Sequence, residues 1–242
     1  LHSFPTRRSS DLEPELYGKK SKSIPQKTTI ILLELLLLAL AYWILFLGGG
    51  TILLDKIGIH VQPGDYGSRA IVFAFSCIVF IRLTFMMLYL LKRKIPWEES
   101  LTVPFAFALY YIGFALLVYN RQAPVGWWDY FGIIVFVAGS LLNTLSELQR
   151  HFWKQHPENK GMLYTKGLFA HSMHINYFGD LLWVSSYAII TRNPYSVSIP
   201  AFLFCLFAFY NIPKLDSYLA GKYKEQFEAY RVKTKKFIPF IY

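Results

Sequence analysis

Gly167 to Asp180, GLFAHSMHINYFGD, gathers two histidines, an asparagine, a tyrosine and an aspartate between two apolar stretches. His171 and His174 are spaced so that two imidazoles could meet one metal ion, but no Cys and no H-E-x-x-H pattern accompanies them, so no metal site is expected. Proton transfer, or a contact to an anionic group, suits these residue types better, with His174 the stronger candidate. Asn176, Tyr177 and Asp180 follow within one turn, giving a polar face to an otherwise apolar segment. Two more clusters have similar chemistry. Glu147 lies four residues after Asn143 and seven after Ser140, a stripe that reads as one wall of a wet cavity or as a hydrogen-bonded ladder between helices. Tyr210, Asn211, Lys214, Asp216 and Tyr218 form the third, around Pro213, which should kink its helix and free backbone groups.

These residues need a scaffold, and the composition dictates which kind. The chain has 242 residues, 54% of them hydrophobic and 18% aromatic, which does not describe a water-soluble protein. Its net charge of +10 sits in Lys and Arg at the ends of apolar runs, so it reports orientation in a bilayer and not a nucleic-acid partner. Cys77 and Cys205 lie inside apolar runs and read as reduced packing residues. Leu1 to Leu12, LHSFPTRRSSDL, resembles the in-frame translation of a sequencing adapter and is set aside as an artefact. Residues 13–27 read as a basic arm and 28–242 as one membrane domain.

Six spans are expected, each near the ~20 residues that cross a bilayer: Thr28–Leu47, Arg69–Leu91, Leu101–Tyr119, Trp127–Glu147, Asn176–Ile190 and Ser196–Ile212. Gly48 to Gly50 reads as a turn. The arm, the loops after the second and fourth spans and the tail are rich in Lys and Arg, so both termini are expected to face the cytoplasm. The expected fold is therefore an all-α polytopic membrane bundle, in the endoplasmic reticulum or a bacterial plasma membrane, with the lipid bilayer as its partner and no obligatory protein partner. All three polar clusters converge at the cytoplasmic face, which suits a ligand with a polar head and an apolar body. Within spans a charge costs roughly 2.5–3.5 kcal/mol, so Glu34 and Arg82 each require a reason. Glu34 should pack against another helix or reach the interface. Arg82, about 15 Å below Lys92 at helical rise, needs a buried carboxylate or an anionic ligand.

Several motifs together resemble a known group: Ser146-Glu147-Leu148-Gln149-Arg150, Asn159-Lys160-Gly161, Gly167-Leu168-Phe169, His174-Ile175-Asn176-Tyr177-Phe178-Gly179-Asp180, and the closing Ile238-Pro239-Phe240-Ile241-Tyr242. From about Arg82 to Tyr242 the chain resembles the steroid 5-alpha-reductase and sterol reductase superfamily, in its domain of unknown function 1295 branch. The resemblance implies NADPH in a cytoplasmic cavity and an apolar lipid or sterol-like substrate entering from the bilayer. It implies that Asn143, Asn176, Asp180, Asn211 and Lys214 contact the cofactor, with Asp216, Tyr223 and Tyr230 closing the far side. Glu147, Tyr177 or His174 would supply the proton that accompanies hydride transfer to a carbon-carbon double bond. The superfamily's common R-H-P-N-Y turn departs here, with Met173 and Ile175 in place of Arg and Pro, which removes a cation near the phosphates. NADH is an alternative donor. A second reading is a methyltransferase of the isoprenylcysteine or phospholipid type using S-adenosylmethionine; a third is a non-catalytic lipid-binding scaffold.

Overall fold

The structure, a computed structural model, describes residues 21–241, so the adapter-like segment and most of the basic arm lie outside the described residues. It is helical throughout its long elements: α1 Ile24–Phe46, α2 Gly49–Lys56, α3 Tyr66–Leu90, α4 Trp97–Val118, α5 Trp127–Trp153, α6 Ile175–Thr191, α7 Pro194–Tyr223 and α8 Glu225–Lys233. Among the described residues, α1, α3, α4, α5 and α7 are long and apolar enough to cross a membrane. The fifth expected span is α6, which has 17 residues and extends only about 25 Å at helical rise. It runs antiparallel to α5 and is sheathed by its neighbours, with Trp183, Val184, Tyr187 and Ile190 all in the core.

Apolarity marks where a span ends, and a helix does not have to stop there. Accordingly α5 runs past Glu147 to Trp153, so Glu147 and Arg150 stand on rigid helix. Likewise α7 continues through Pro213 to Tyr223. The expected disturbance near Pro213 takes the form of a π turn, Phe207–Asn211, immediately before the proline's own helical turn. Two more π turns, Met86–Leu90 and Leu109–Gly113, interrupt α3 and α4. Such turns interrupt the regular i to i−4 ladder and recur at functional sites. The reading of Gly48 to Gly50 as a plain turn is corrected: Gly48 turns with φ +81°, but Gly49 and Gly50 begin α2.

Close approach of α5 and α6 is the central packing event. A Cβ on Gly139 would lie 2.6 Å from the Trp183 nitrogen, and one on Gly179 would lie 2.6 Å from the Asn143 nitrogen. Only glycine lets these two backbones touch, as in small-residue crossings generally. Around that seam Phe75 stacks on Phe136 at 3.8 Å, and Tyr187 closes the layer edge-on to Phe75 at 5.3 Å.

At the far end from the three polar clusters, the α4–α5 turn is tied to the end of α6. Arg121 grips both Asp129 oxygens, at 2.5 and 2.8 Å, and donates to the Ile190 carbonyl at 2.5 Å. Arg192 reaches the same carboxylate at 2.7 Å. With Asp129 fully buried, this network is a structural knot.

Candidate functional site

The close crossing at Gly179 sets the geometry of the residues on either side of it. Asn143 donates from Nδ2 to the Asn176 carbonyl at 3.1 Å, and Asn176 Nδ2 donates to Glu147 Oε1 at 2.9 Å. Glu147 is also paired with Arg150. Thus Asn143, Glu147 and Asn176, expected to be neighbours, are one hydrogen-bonded set. Asp180, one turn further along α6, accepts from Trp183 Nε1 at 2.7 Å and faces Arg82 Nη2 at 3.9 Å. Of the two partners open to Arg82, the structure supplies the carboxylate. The contact is loose, however. Arg82 lies 5.1 Å from the Trp183 ring, and its Nη1 is buried with no hydrogen-bond partner.

Deeper in the bundle Glu34 is fully buried. Glu34 and Tyr111 are close enough to interact, and Arg82 lies within electrostatic reach of Tyr111. Yet neither Glu34 oxygen nor the Tyr111 hydroxyl makes a hydrogen bond of acceptable geometry. On α5, Ser140 Oγ and Thr144 Oγ1 are likewise buried and unsatisfied. Each such group costs free energy, on the order of 1–3 kcal/mol unless something pairs with it. Glu34, Tyr111, Arg82, Asp180 and Glu147 therefore form a polar series leading from mid-bundle to the basic end.

Where that series emerges, the cations gather. Arg150 lies over the Phe169 ring at 5.4 Å. Lys154, although much of its side chain is exposed, is pushed down to about 8, first by loss of hydration around its ammonium and then by Arg150 and Lys222, with Glu147 opposing. Burial pushes the Tyr230 hydroxyl up, against the pull of Arg150, and it donates to the Phe169 carbonyl at 2.5 Å. Three cations around one carboxylate form an anion-seeking mouth.

The remaining expected residues belong to a separate group. His174 is buried, and its Nε2 meets Asp216 Oδ1 at 2.8 Å, while Lys236 approaches the other Asp216 oxygen at 3.6 Å. The backbone of Met173 and His174 donates to the Lys235 and Lys236 carbonyls, at 2.8 and 3.2 Å, and Ser172 Oγ donates to the Phe237 carbonyl at 2.7 Å. The SMH half of the motif thus clamps the carboxyl-terminal tail. Tyr177 stacks between His174, at 5.8 Å, and Phe207, at 4.6 Å. The single polar face expected for Asn176, Tyr177 and Asp180 is therefore split, with Tyr177 turned to α7 and the other two to α5 and α3. Asn211 closes the π turn of α7, Lys214 sits over Tyr210 at 5.8 Å, and Tyr223 and Tyr230 share an apolar cluster with Met173 and Phe227. His171 lies on the surface against Phe240. Tyr111 and Lys154 are additions that the sequence did not single out, because a tyrosine in an aromatic span and a lysine in a polar stretch carry no distinguishing spacing; Lys222 belongs to the tail that carries the family resemblance, without a role assigned to it there.

An all-helical membrane bundle with a polar interior that opens at one basic end is the class these observations define. Within it, the chain belongs to the DUF1295 family of proteins of unknown function, whose model matches residues 93–234, more than half of the chain. Relatives outside that description carry two kinds of name. "Probable O-methyltransferase ustE" of Ustilaginoidea virens is 35% identical over 36% of this chain and 31% of its own length. "Probable protein-S-isoprenylcysteine O-methyltransferase" of Oryza sativa subsp. indica is 26% identical over 47% of this chain and 62% of its own. "3-oxo-5-alpha-steroid 4-dehydrogenase 2" of Macaca fascicularis is 23% identical, but over 95% of this chain and 89% of its own. The chain thus matches less than two thirds of either methyltransferase and most of the steroid dehydrogenase.

Proposed function

We propose that this protein is a membrane enzyme that reduces a carbon-carbon double bond conjugated to a carbonyl in a lipid or sterol-like substrate, with NADPH as donor. The observation that carries the reading is the buried, unsatisfied Glu34 and Tyr111 pair inside the bundle. Reduction of an enone requires an acid at the carbonyl oxygen, at a depth that an apolar substrate reaches from the bilayer. Methyl transfer to a carboxylate has no use for one.

A bound reduced nicotinamide dinucleotide would supply the hydride. For the residues, Tyr111 would donate to the substrate oxygen and Glu34 would orient that hydroxyl. Arg82, with Nη1 to spare, would stabilise negative charge that grows on the oxygen. Arg150, Lys154 and Lys222 would hold the phosphates, and so compensate for the cation missing at Met173. That cluster also favours a dinucleotide over S-adenosylmethionine, which offers one carboxylate and carries a positive sulfonium. Asn143, Asn176 and Asp180 would orient the cofactor, with Glu147 tying Arg150 and Asn176 together. His174 and Asp216 would act as positioning residues that hold the tail closed, Tyr177 as an apolar shelf, and Asn211, Lys214, Tyr223 and Tyr230 as the far wall. The basic end would face the cytoplasm, where the donor is made.

The test is thermal unfolding in detergent with NADPH, NADH or S-adenosylmethionine, followed by turnover of an enone-bearing sterol with donor deuterated at C4. Stabilisation by NADPH and deuterium in the saturated product are expected. Stabilisation by S-adenosylmethionine alone, with methyl transfer, would overturn the proposal.

A further inference from the structure

Between α1 and the π turn that ends α3 lies a cleft of about 750 Å³, lined by none of the residues of the polar series. The chain builds it by an unusual clip. Ser21 N donates to the Lys92 carbonyl at 3.1 Å, and Ile95 N donates to Ser23 Oγ at 3.0 Å, which holds the start of α1 against the α3–α4 loop. Lys22, Lys27 and Lys92 thereby line one cleft, and among the described residues no acidic side chain lines it with them. Lys27 is buried and donates to the Leu91 carbonyl at 2.8 Å; the neighbouring Arg93 is taken up by Glu99, at 2.5 and 2.8 Å. Below the lysines the walls become apolar, with Ile31, Leu88 and Tyr89.

Three ammonium groups above an apolar slot, at the level where a span meets water, match a headgroup phosphate above an acyl chain. We propose that this cleft binds one anionic phospholipid, its phosphate between Lys22, Lys27 and Lys92 and one chain along Ile31 and Leu88. Cations that line one cleft with no carboxylate beside them among the described residues present a positive field that an anion complements. Basic pockets between helices at the cytoplasmic face bind anionic headgroups for that reason. The inference does not depend on the reaction proposed above, since the lipid is a resident of a separate cleft.

Native mass spectrometry of the full chain in mild detergent tests it, with palmitoyl-oleoyl phosphatidylglycerol, the matching phosphatidylcholine, and glycerol 3-phosphate as the headgroup alone. One phosphatidylglycerol per chain is expected, bound at least tenfold tighter than phosphatidylcholine. Lys22→Gln and Lys92→Gln should each weaken it about fivefold, ~1 kcal/mol per charge. Leu88→Trp, which fills the slot, should lower lipid binding with both lysines intact. Equal binding of the two lipids, or no change in either lysine variant, overturns the proposal. Glycerol 3-phosphate binding as tightly as the lipid would make this a site for free phosphate compounds, and lipid binding seen only after deletion of residues 13–20 would assign the cleft to the arm; both outcomes also overturn it.

Discussion

Replacing Gly179 by alanine tests whether the α5–α6 seam positions the site. The added methyl carbon would stand 2.6 Å from the Asn143 nitrogen and 2.8 Å from the Gly139 carbonyl oxygen, both backbone atoms of α5. Ordinary contact is about 3.5 Å, so the helices must separate by close to 1 Å. Overpacking of that kind costs roughly 1–3 kcal/mol, and loss of the Asn143–Asn176 bond adds about 0.6 kcal/mol, typical for such bonds in membranes. For a chain of this size, roughly 2–3 kcal/mol corresponds to a fall of about 5–10 °C in Tm. Gly221→Ala is the control, because nothing lies within 4 Å of a Cβ there and alanine favours a helix by up to about 1 kcal/mol. Gly139→Ala should behave like Gly179→Ala, and the double variant should lose less than the sum, since one separation accommodates both methyls. Thermal unfolding in detergent reads all four. A Gly179→Ala protein that melts with the wild type, or single losses that simply add, would show that the helices do not meet in this way.

Asp129→Asn should destabilise the fold by roughly 3–5 kcal/mol, the usual cost of leaving one buried charge without its partner, because Arg121 is then deprived of its carboxylate; loss of monodisperse protein on size exclusion, or a large fall in Tm, is the readout. Tyr111→Phe and Glu34→Gln should lower kcat on an enone substrate by about 10²–10⁴-fold, while NADPH still stabilises the protein in thermal shift; unchanged turnover would remove the pair from the chemistry. Lys154, with a folded value near 8 against 10.5 as a free side chain, gives a pH signature. Between those values the unfolded chain binds the proton and the folded chain does not, so stability should rise with pH across this window. Affinity for a phosphate-bearing ligand should fall as pH rises through about 8, and Lys154→Met should abolish both steps, as pH-dependent unfolding and binding titrations would record.

Much of the architecture is legible in the sequence because a bilayer imposes few solutions. Apolar runs of sufficient length become helices, since nothing in hydrocarbon satisfies a backbone otherwise. For that reason α1, α3 and α4 fall within a few residues of expectation. Helix ends are less legible: Gln149 and Arg150 look like loop residues by polarity, yet both are good helix formers and prolong α5. Of the site, the Asn143, Glu147 and Asn176 set could be read from i, i+4 spacing and a shared resemblance. Glu34 stands out in the sequence only as a costly charge. Its meeting with Tyr111 depends on how α1 packs against α4, and no local spacing records that. His174 is legible as special but not as a partner of Asp216, because the two stand on separate elements, the start of α6 and the end of α7, that meet only in the folded chain.

The Arg121, Asp129 and Arg192 knot has a mechanical consequence. One carboxylate fastens the α4–α5 turn and the end of α6, so these helices share a fixed fulcrum at the end remote from the cations. The bundle should then behave like forceps riveted at one tip: substrate and cofactor traffic must be accommodated by splaying at the basic end. There the π turns of α3 and α7 offer compliant joints, and spin labels on either side of the rivet should keep their separation while labels near Lys154 and Lys222 change theirs.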